Sequence, residues 1–245
     1  MPLKILRNES LKKHTSLRIG GPADHFCVPK NTAELREALL IAQGNRWPVA
    51  IIGAGTNLLV LDNGWSGLVI KLGGAAVMNA GAWGDEIGRY IEQVKVIDHE
   101  GNLLTLSKDQ LGFGYRRSVL QTGRYIVAEV VIKLRKGTAG KIRKKIAGFL
   151  EKRKLSQPLG SPNAGSIFKN PPGKYAGKLL EAAGLKGARV GDAQVSVKHA
   201  NFILNLGEAK ARDVLKLMTR MQVAVSSKFK VKLEPELKIM IQSIR

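Results

Sequence analysis

The feature that most constrains the fold is a glycine loop, GAGTN at residues 53–57, which lies between two short apolar runs. The flanking runs, PVAII and LLVL, have the length and content of β-strands. A Walker loop requires GKS or GKT, and the dinucleotide motif GxGxxG opens a helix, so the loop matches neither of them. Its backbone N–H groups could still approach a phosphate, and the alternative is a plain glycine turn.

Helical and strand patterns alternate along the rest of the chain. Asn31 and Glu34 form a capping-box pair at the start of a helix that we expect to end near Gly44. The other expected elements are strands at 68–72 and 125–134, a hairpin at 94–106, a helix at 138–154, a helix closed by Gly184, short strands around AQVSV and NFILN, and a long amphipathic helix beginning near Glu208. In the helix at 138–154, Ile142, Ile146 and Leu150 have helical spacing, and the cations are expected to be solvated.

Charge and composition limit the classes of function. With 40 Lys and Arg against 19 Asp and Glu, the 245-residue chain has a net charge of +21 and suits an anionic partner. Only 13 residues are aromatic, which argues against a stacking surface for nucleic acid. Cys27 is the single cysteine, so an intramolecular disulfide is excluded. Because no apolar run has the length of a signal peptide or a membrane span, we expect a soluble, cytoplasmic protein.

Three polar clusters carry the candidate chemistry: GYRRS at 114–118, GSIFKNP at 165–171 and LEPE at 233–236. Arg116 could form a two-donor fork to a carboxylate or phosphate. Ser166 could donate a proton, or it could be an ordinary turn serine. Glu236 has the alternative of a helix-first-turn charge, and His199, in VKHANF, has the alternative of a packed histidine.

The order of these segments resembles the UDP-N-acetylenolpyruvoylglucosamine reductase family, in its shorter-loop class. The motifs that carry the resemblance are HTSLRIGGPAD, GAGTNLLV, MNAGAWGDEI, FGYRRS, RKLSQPLGSPNAGSIFKNP, AGKLLEAAGLKG, VSVKHANFILN and LEPEL. The resemblance implies an α+β chain with an FAD-binding fold of the vanillyl-alcohol-oxidase type. We expect two small FAD-binding subdomains, at residues 1–72 and 73–137, and a C-terminal α+β substrate domain at 138–245.

The resemblance also implies an activity and a set of site residues. The family uses NADPH and FAD to reduce UDP-N-acetylglucosamine enolpyruvate to UDP-N-acetylmuramate, a precursor of peptidoglycan. Arg116, Ser166 and Glu236 match its catalytic residues. The cofactor-binding positions are Gly53, Ala54, Gly55, Thr56, Asn57, Leu58, Asn79, Ala80, Gly81 and Ala82, and the substrate-binding positions are Tyr115, Lys169, Asn170 and His199. We expect a monomer without a metal site, a membrane partner or a specific nucleic-acid partner.

The sequence departs from the family at one place. Leu72 runs directly into GGAAVMNAGA, where the family has several dozen further residues and a Gly-Ile-Pro-Gly turn against the FAD pyrophosphate. Two alternatives to the reductase follow. A flavin-poor relative that still binds a UDP-sugar would explain the shortening, and a nucleic-acid-binding protein would explain only the charge.

Overall fold

The computed structural model describes residues 3–72, 81–82, 85–98, 101–115 and 117–241. Within these ranges the helices are α1 (Thr32–Gly44), α2 (Ala139–Ser156), α3 (Ala176–Ala182) and α4 (Ala211–Phe229). The strands are β1 (Ile5–Ser10), β2 (Pro22–Cys27), β3 (Val49–Ile52), β4 (Leu58–Val60), β5 (Trp65–Lys71), β6 (Gly81–Ala82), β7 (Asp85–Glu86), β8 (Ile91–Ile97), β9 (Leu103–Ser107), β10 (Ile126–Ile132), β11 (Arg189–Val190), β12 (Ala193–Val195), β13 (Ile203–Asn205) and β14 (Lys238–Met240). None of the helices in the described ranges combines the length and apolar content needed to cross a bilayer.

The chain divides into two compact units, each assembled from three separate stretches. Unit 1 consists of Met1–Leu6, Phe26–Gly53 and Gly67–Thr138, and unit 2 consists of Arg7–His25, Ala54–Ser66 and Ala139–Arg245. The division into three parts at residues 72 and 137, expected from the sequence, stays a prediction.

Unit 1 contains an antiparallel sheet with the strand order β10-β8-β9. Val94 of the central strand lies opposite Val130 on one side and Leu106 on the other. The apolar side chains of this strand are buried in a core with Leu111 and Leu120. A second core forms where α1 packs near the parallel pair β3 and β5, because the apolar side chains of α1 recur on one face.

Unit 2 contains the antiparallel sheet β11-β12-β13 and the parallel pair β4 and β14. Helix α4 supplies much of its core through one apolar face, formed by Val214, Leu217, Met218, Met221 and Val225. Helical spacing in the sequence predicts a face formed by Ala211, Val214, Leu215, Met218, Met221 and Val225. The structure confirms five of these residues as buried, whereas Leu215 is only partly buried and Leu217, which the spacing does not select, is fully buried.

The ends of two helices show what local sequence can predict. For α1, the Asn31 side chain accepts the Glu34 N–H at 2.9 Å, as the capping box predicts. Helix α4 begins at Ala211 rather than near Glu208. Two carboxylates fix this start. The Asp213 carboxylate accepts the Lys210 N–H at 3.0 Å, and the distant Asp62 carboxylate accepts the N–H groups of Ala211 at 2.8 Å and Arg212 at 3.3 Å.

Helix α2 differs from the expected pattern in its burial. The spacing of Ile142, Ile146 and Leu150 correctly predicts a helix, yet each of these side chains is about half exposed. No described residue of α2 is buried. Apolar spacing identifies the face that a helix could bury, but it carries no information on whether another element covers that face.

We expect Leu217→Ala to destabilise the protein by about 2–5 kcal/mol, because the side chain is fully buried and its removal leaves a cavity. The matched control is Val223→Ala on the same helix. Val223 is 59% exposed, so its truncation should change stability by less than about 0.5 kcal/mol. Urea unfolding followed by circular dichroism measures both changes. Equal effects of the two variants would contradict the assignment of the buried face.

Candidate active site

The glycine loop is held against residues 14–16. Gly55 has a φ of +69°, and a Cβ at this position would lie 2.0 Å from the His14 carbonyl oxygen. The Ser16 N–H donates to the Gly55 carbonyl at 3.0 Å. The single Ser16 hydroxyl proton suits the Asn163 carbonyl at 2.7 Å, and the hydroxyl oxygen also lies 3.3 Å from the Gly55 carbonyl oxygen. Only glycine allows this close approach of two backbone segments.

The free N–H groups of the loop fit a phosphate group. Within the part of the chain that the structure describes, the N–H groups of Ala54, Gly55 and Thr56 donate to no protein acceptor. Ala54 and Thr56 are exposed, and Thr56 adds a hydroxyl. Successive backbone donors of this kind form an anion-binding concavity. The described loop residues therefore fit the pyrophosphate of FAD, which they would hold through backbone N–H groups.

Asn57 connects the glycine loop to Glu236. Its side-chain amide donates to the Glu236 carbonyl at 3.0 Å, and its own carbonyl accepts the Lys238 N–H at 3.2 Å. Leu58 follows in β4, in parallel register with Lys238. The cofactor roles of Asn57 and Leu58 stay predictions, while the contacts show that both residues tie the loop to the C-terminal strand.

Ser166 and Glu236 are brought together by one backbone carbonyl. The Ile167 carbonyl, directly after Ser166, accepts the N–H groups of Glu236 at 2.8 Å and Leu237 at 3.3 Å. The pairing continues as an antiparallel bridge between Phe168 and Pro235. Residues that are 70 positions apart in the chain thus lie on two paired segments of unit 2.

The turn before Ser166 is shaped by Asn163 and Gly165. The Asn163 side chain accepts the Gly165 N–H at 3.0 Å and donates to the Ser161 carbonyl at 2.8 Å. Gly165 has a φ of +75°, which favours glycine. Ser166 is partly exposed, and within the described residues its hydroxyl makes no hydrogen bond, so it can contact a ligand.

Lys169 and Asn170 have contacts of their own. The Lys169 ammonium lies 3.3 Å from the Glu234 carboxylate in an exposed ion pair. The Asn170 side-chain oxygen, Oδ1, accepts the Ala176 N–H at 3.0 Å, at the start of α3. This hydrogen bond occupies the side-chain oxygen of Asn170 and fixes the orientation of the side chain. Substrate binding by Lys169 and Asn170 stays a prediction.

His199 lies two residues before Asn201, which hydrogen-bonds to the serine segment, residues 166–169. Its Nδ1 accepts the Asn201 N–H at 3.2 Å, and its ring lies edge-on to Phe202 at 4.8 Å. A Cβ at Gly177 would lie 2.8 Å from His199 Cε1, so the glycine admits the ring. Burial lowers the pKa of His199. The contacts favour the packed histidine, the alternative raised above, and substrate binding stays a prediction.

Several sequence-predicted residues belong to unit 1 or lie outside the described residues. Gly53 ends a stretch of unit 1, and Gly81 and Ala82 form β6, which pairs with β7. Tyr115 is 62% exposed, next to the Gly114 and Arg117 pair that closes a turn. Asn79, Ala80 and Arg116 lie outside the described residues.

Sequence reasoning missed three residues that build the site: Ser16, Asn163 and Asn201. Each is a small polar residue inside a motif that the sequence singles out, HTSLRIGG, SPNAGS and KHANF. Asn201 is buried and hydrogen-bonded to Phe168, two residues after Ser166. Their position inside otherwise glycine-rich or apolar motifs is the signal that could have identified them.

The structure thus places the glycine loop from Ala54 onward, with backbone N–H groups that are unpaired among the described residues, and the serine and glutamate segments within unit 2, and the comparisons with known proteins define the class of protein. Residues 157–240 match the family model described as UDP-N-acetylenolpyruvoylglucosamine reductase, C-terminal domain. A Symbiobacterium thermophilum protein named UDP-N-acetylenolpyruvoylglucosamine reductase 2 is 42% identical, over 97% of this chain and 92% of its own length. A reductase of the same name from Caldanaerobacter subterraneus is 40% identical, over 96% and 93%.

A solved structure agrees with these relatives. The UDP-N-acetylenolpyruvylglucosamine reductase (MurB) of Thermus caldophilus matches with a TM-score of 0.81 and 34% identity, over 98% of this chain and 99% of that one. The chain belongs to the UDP-N-acetylenolpyruvoylglucosamine reductase family. The family and fold class predicted from the sequence, an FAD-binding fold of the vanillyl-alcohol-oxidase type, are therefore confirmed.

The alignment with the Symbiobacterium protein also bears on the missing segment. It spans 285 positions, whereas this chain has 245 residues, so at least 40 positions have no counterpart here. This agrees with the several dozen residues that the sequence lacks after Leu72.

We expect Gly55→Ala to weaken FAD binding and lower the melting temperature, because a Cβ 2.0 Å from the His14 oxygen forces the two segments apart. Gly184→Ala is the matched control. Its φ of +75° is similar, but a Cβ there has nothing within 4 Å, so only about 1–2 kcal/mol of left-handed strain is added. Titration with FAD, followed by flavin fluorescence, compares the variants. Equal FAD affinities would contradict the packing argument.

We expect the stability of the protein to fall as the pH falls below about 6.5, in part through His199. Burial lowers the folded-state pKa of this imidazole, so the unfolded chain binds more protons in that range. His199→Gln keeps a hydrogen-bond acceptor and removes the titration. Its free energy of unfolding, measured between pH 7.5 and pH 5, should depend less on pH than that of the wild type. If the free energy of unfolding changed with pH by the same amount in wild type and variant, His199 would not contribute to the pH dependence of stability.

Proposed function

We propose that this chain is the reductase of UDP-N-acetylglucosamine enolpyruvate, and that it forms UDP-N-acetylmuramate with FAD and NADPH. The assignment to particular residues rests on one hydrogen bond. The Ile167 carbonyl accepts the Glu236 N–H and so holds Glu236 beside the segment that contains Ser166. The family's serine and glutamate motifs therefore meet in space, as a reaction at one substrate group requires. Family membership supports the substrate and the cofactors.

The reaction saturates a carbon–carbon double bond. When bound, FAD supplies the hydride, obtained from NADPH, that adds to C3 of the enolpyruvyl group. The C2 carbon then requires a proton, and negative charge develops toward the substrate carboxylate. The protein must place a proton donor at C2 and stabilise the developing charge.

Ser166 is the proton donor in this proposal. Its hydroxyl gives the proton to C2, and water returns a proton to the serine oxygen. The partial exposure of the side chain and its lack of a hydrogen bond within the described residues support access to a ligand. The fixed turn at Asn163 and Gly165 supports a defined direction of approach.

Arg116 and Glu236 complete the catalytic group. A guanidinium fork suits the carboxylate on which charge develops, and Arg116 is assigned this role through its family motif, FGYRRS. The backbone of Glu236 is held at both ends, by the Ile167 carbonyl and by the Asn57 amide, so its carboxylate starts from a fixed position. Tyr115, Lys169 and Asn170 are assigned to substrate binding.

The cofactor-binding loops are assigned in the same way. The N–H groups of Ala54, Gly55 and Thr56 would hold the pyrophosphate, and residues 79–82 would line the flavin. All the nucleotide ligands carry negative charge, and the net charge of +21 favours their approach. We expect a monomer in the cytoplasm, where NADPH and nucleotide sugars are available.

We expect Ser166→Ala to slow substrate-dependent turnover by about 10²–10⁴-fold, because the proton donor is lost. Reduction of the bound FAD by NADPH should keep its wild-type rate, since that step needs no proton at C2. Ser161→Ala in the same loop is the control and should change neither step. Stopped-flow absorbance measures both steps, and mass spectrometry identifies a product heavier than the substrate by two hydrogens.

Two outcomes would count against the assignment. A wild-type protein loaded with FAD that oxidises NADPH but never reduces the enolpyruvyl substrate would overturn the reductase function. A Ser166→Ala variant with the wild-type substrate step would leave the function intact and overturn the role of the serine.

A further inference from the structure

We infer that Asn201 is a positioning residue that sets the direction of the Ser166 hydroxyl; the inference rests on the proposed function. Asn201 follows His199 in the KHANF motif and comes 35 positions after the serine in the chain. The sequence alone suggests no role in the reaction for Asn201, because it does not show which backbone groups the side chain contacts. Its contacts show how it acts.

Asn201 pairs with the serine segment like a neighbouring strand. Its side-chain oxygen accepts the Phe168 N–H at 3.0 Å, and its side-chain nitrogen donates to the Phe168 carbonyl at 2.8 Å. Its main-chain carbonyl accepts the Ile167 N–H at 2.9 Å. Three hydrogen bonds from one residue thus fix the two residues that follow Ser166.

The serine segment is held from its other side by the C-terminal residues. The Ile167 carbonyl accepts the Glu236 N–H at 2.8 Å, and the Lys169 N–H donates to the Glu234 carbonyl at 2.9 Å. Residues 167–169 therefore lie between Asn201 and residues 234–237. Loss of the Asn201 contacts would leave the segment fixed on one side only, and the register between Ser166 and Glu236 would loosen.

Burial makes the contact specific to asparagine. The Asn201 side chain is 3% exposed, so the Phe168 N–H and carbonyl that it satisfies have no access to water. Aspartate has the same shape and can accept from the N–H, but it presents a second oxygen to the Phe168 carbonyl. Alanine removes both hydrogen bonds. The two substitutions therefore weaken the same contact in different ways.

A positioning role predicts a selective kinetic defect. Displacement of a proton donor by a fraction of an ångström can cost between about 10-fold and 100-fold in rate. The affected step is proton delivery to C2, so the reduction of FAD by NADPH should be unaffected. A residue with a merely structural role would lower the amount of active protein and leave the rate constants of that protein unchanged.

The control is Asn205, the other buried asparagine of the KHANFILN stretch. It is also 3% exposed. It donates to the Leu17 carbonyl at 3.0 Å and accepts the N–H groups of Gly207 at 2.9 Å and Ala209 at 3.1 Å. Its side chain also lies 3.4 Å from the Arg18 carbonyl, so Asn205→Ala removes a buried asparagine with four side-chain hydrogen bonds, twice as many as Asn201 makes, and none of them is to residues 166–169.

The test compares wild type, Asn201→Ala, Asn201→Asp and Asn205→Ala, each loaded with FAD. Anaerobic stopped-flow absorbance measures reduction by NADPH and then reoxidation by UDP-N-acetylglucosamine enolpyruvate. We expect both Asn201 variants to slow the second step by about 10-fold to 100-fold, with the first step within twofold of wild type. The solvent deuterium isotope effect on the second step should increase, because proton transfer becomes rate-limiting. The dissociation constant of UDP-N-acetylglucosamine, measured by calorimetry, should stay unchanged.

Three results would overturn the inference. The first is a wild-type second step in Asn201→Ala, or in Asn201→Asp should the alanine variant fail to fold. The second is an equal slowing by Asn205→Ala, which would show a general effect of destabilisation. The third is a wild-type enzyme that is not reoxidised by the substrate, which would overturn the proposed function together with the inference. The first two leave the proposed function in place.

Discussion

The candidate site depends on the backbone pairing of residues 167–169 with residues 234–237. The Ile167 carbonyl accepts two N–H groups from the C-terminal segment, and the Phe168 and Pro235 bridge extends the contact. This pairing brings together two motifs that are far apart in the chain. Because backbone groups form it, the register depends little on the side chains that face the ligand, so those side chains are available for chemistry.

Asparagine side chains extend this pairing into a network. Asn57 joins the glycine loop to the Glu236 carbonyl, Asn163 shapes the turn before Ser166, and Asn201 holds Phe168. An amide side chain has both a donor and an acceptor, so it can form with a backbone segment the hydrogen bonds that a neighbouring strand would otherwise form. The site is therefore positioned by side chains that mimic backbone, and each of them has a defined partner in unit 2.

The sequence predicted those parts of the structure that depend on nearby residues. The Asn31 and Glu34 cap, most of the buried face of α4 and the end of α3 at Ala182, shortly before Gly184, all follow from patterns within one or two helical turns. The start of α4 depends in part on Asp62, which lies 149 positions from the residue that it caps. The exposure of α2 likewise depends on what packs against it, which no local pattern encodes.

The same distinction applies to the site. Ser166 and Glu236 could be selected only because their motifs resemble those of the family, since a polar residue in a turn is by itself ordinary. The contacts that position them could not be predicted. The sequence does not single out Asn201, and it selects Asn57 only for the cofactor loop, because their partners Phe168 and Glu236 are 33 and 179 positions away in the chain. Local sequence shows that an asparagine is present, and only the fold shows which backbone group it satisfies.

The serine turn, the Glu236 segment and residues 54–57 of the glycine loop all belong to unit 2. The residues that the chain is expected to lack after Leu72 would belong to unit 1, which contains Leu72. The hydrogen bonds of the Ile167 carbonyl with residues 236 and 237, and those of the Asn201 side chain with Phe168, join residues of unit 2. If Ser166 is the proton donor that we propose, a shortening of unit 1 can change the affinity for FAD without altering the contacts that hold the serine. Measurements of each half-reaction, rather than of overall turnover, therefore distinguish the proposed roles of the residues.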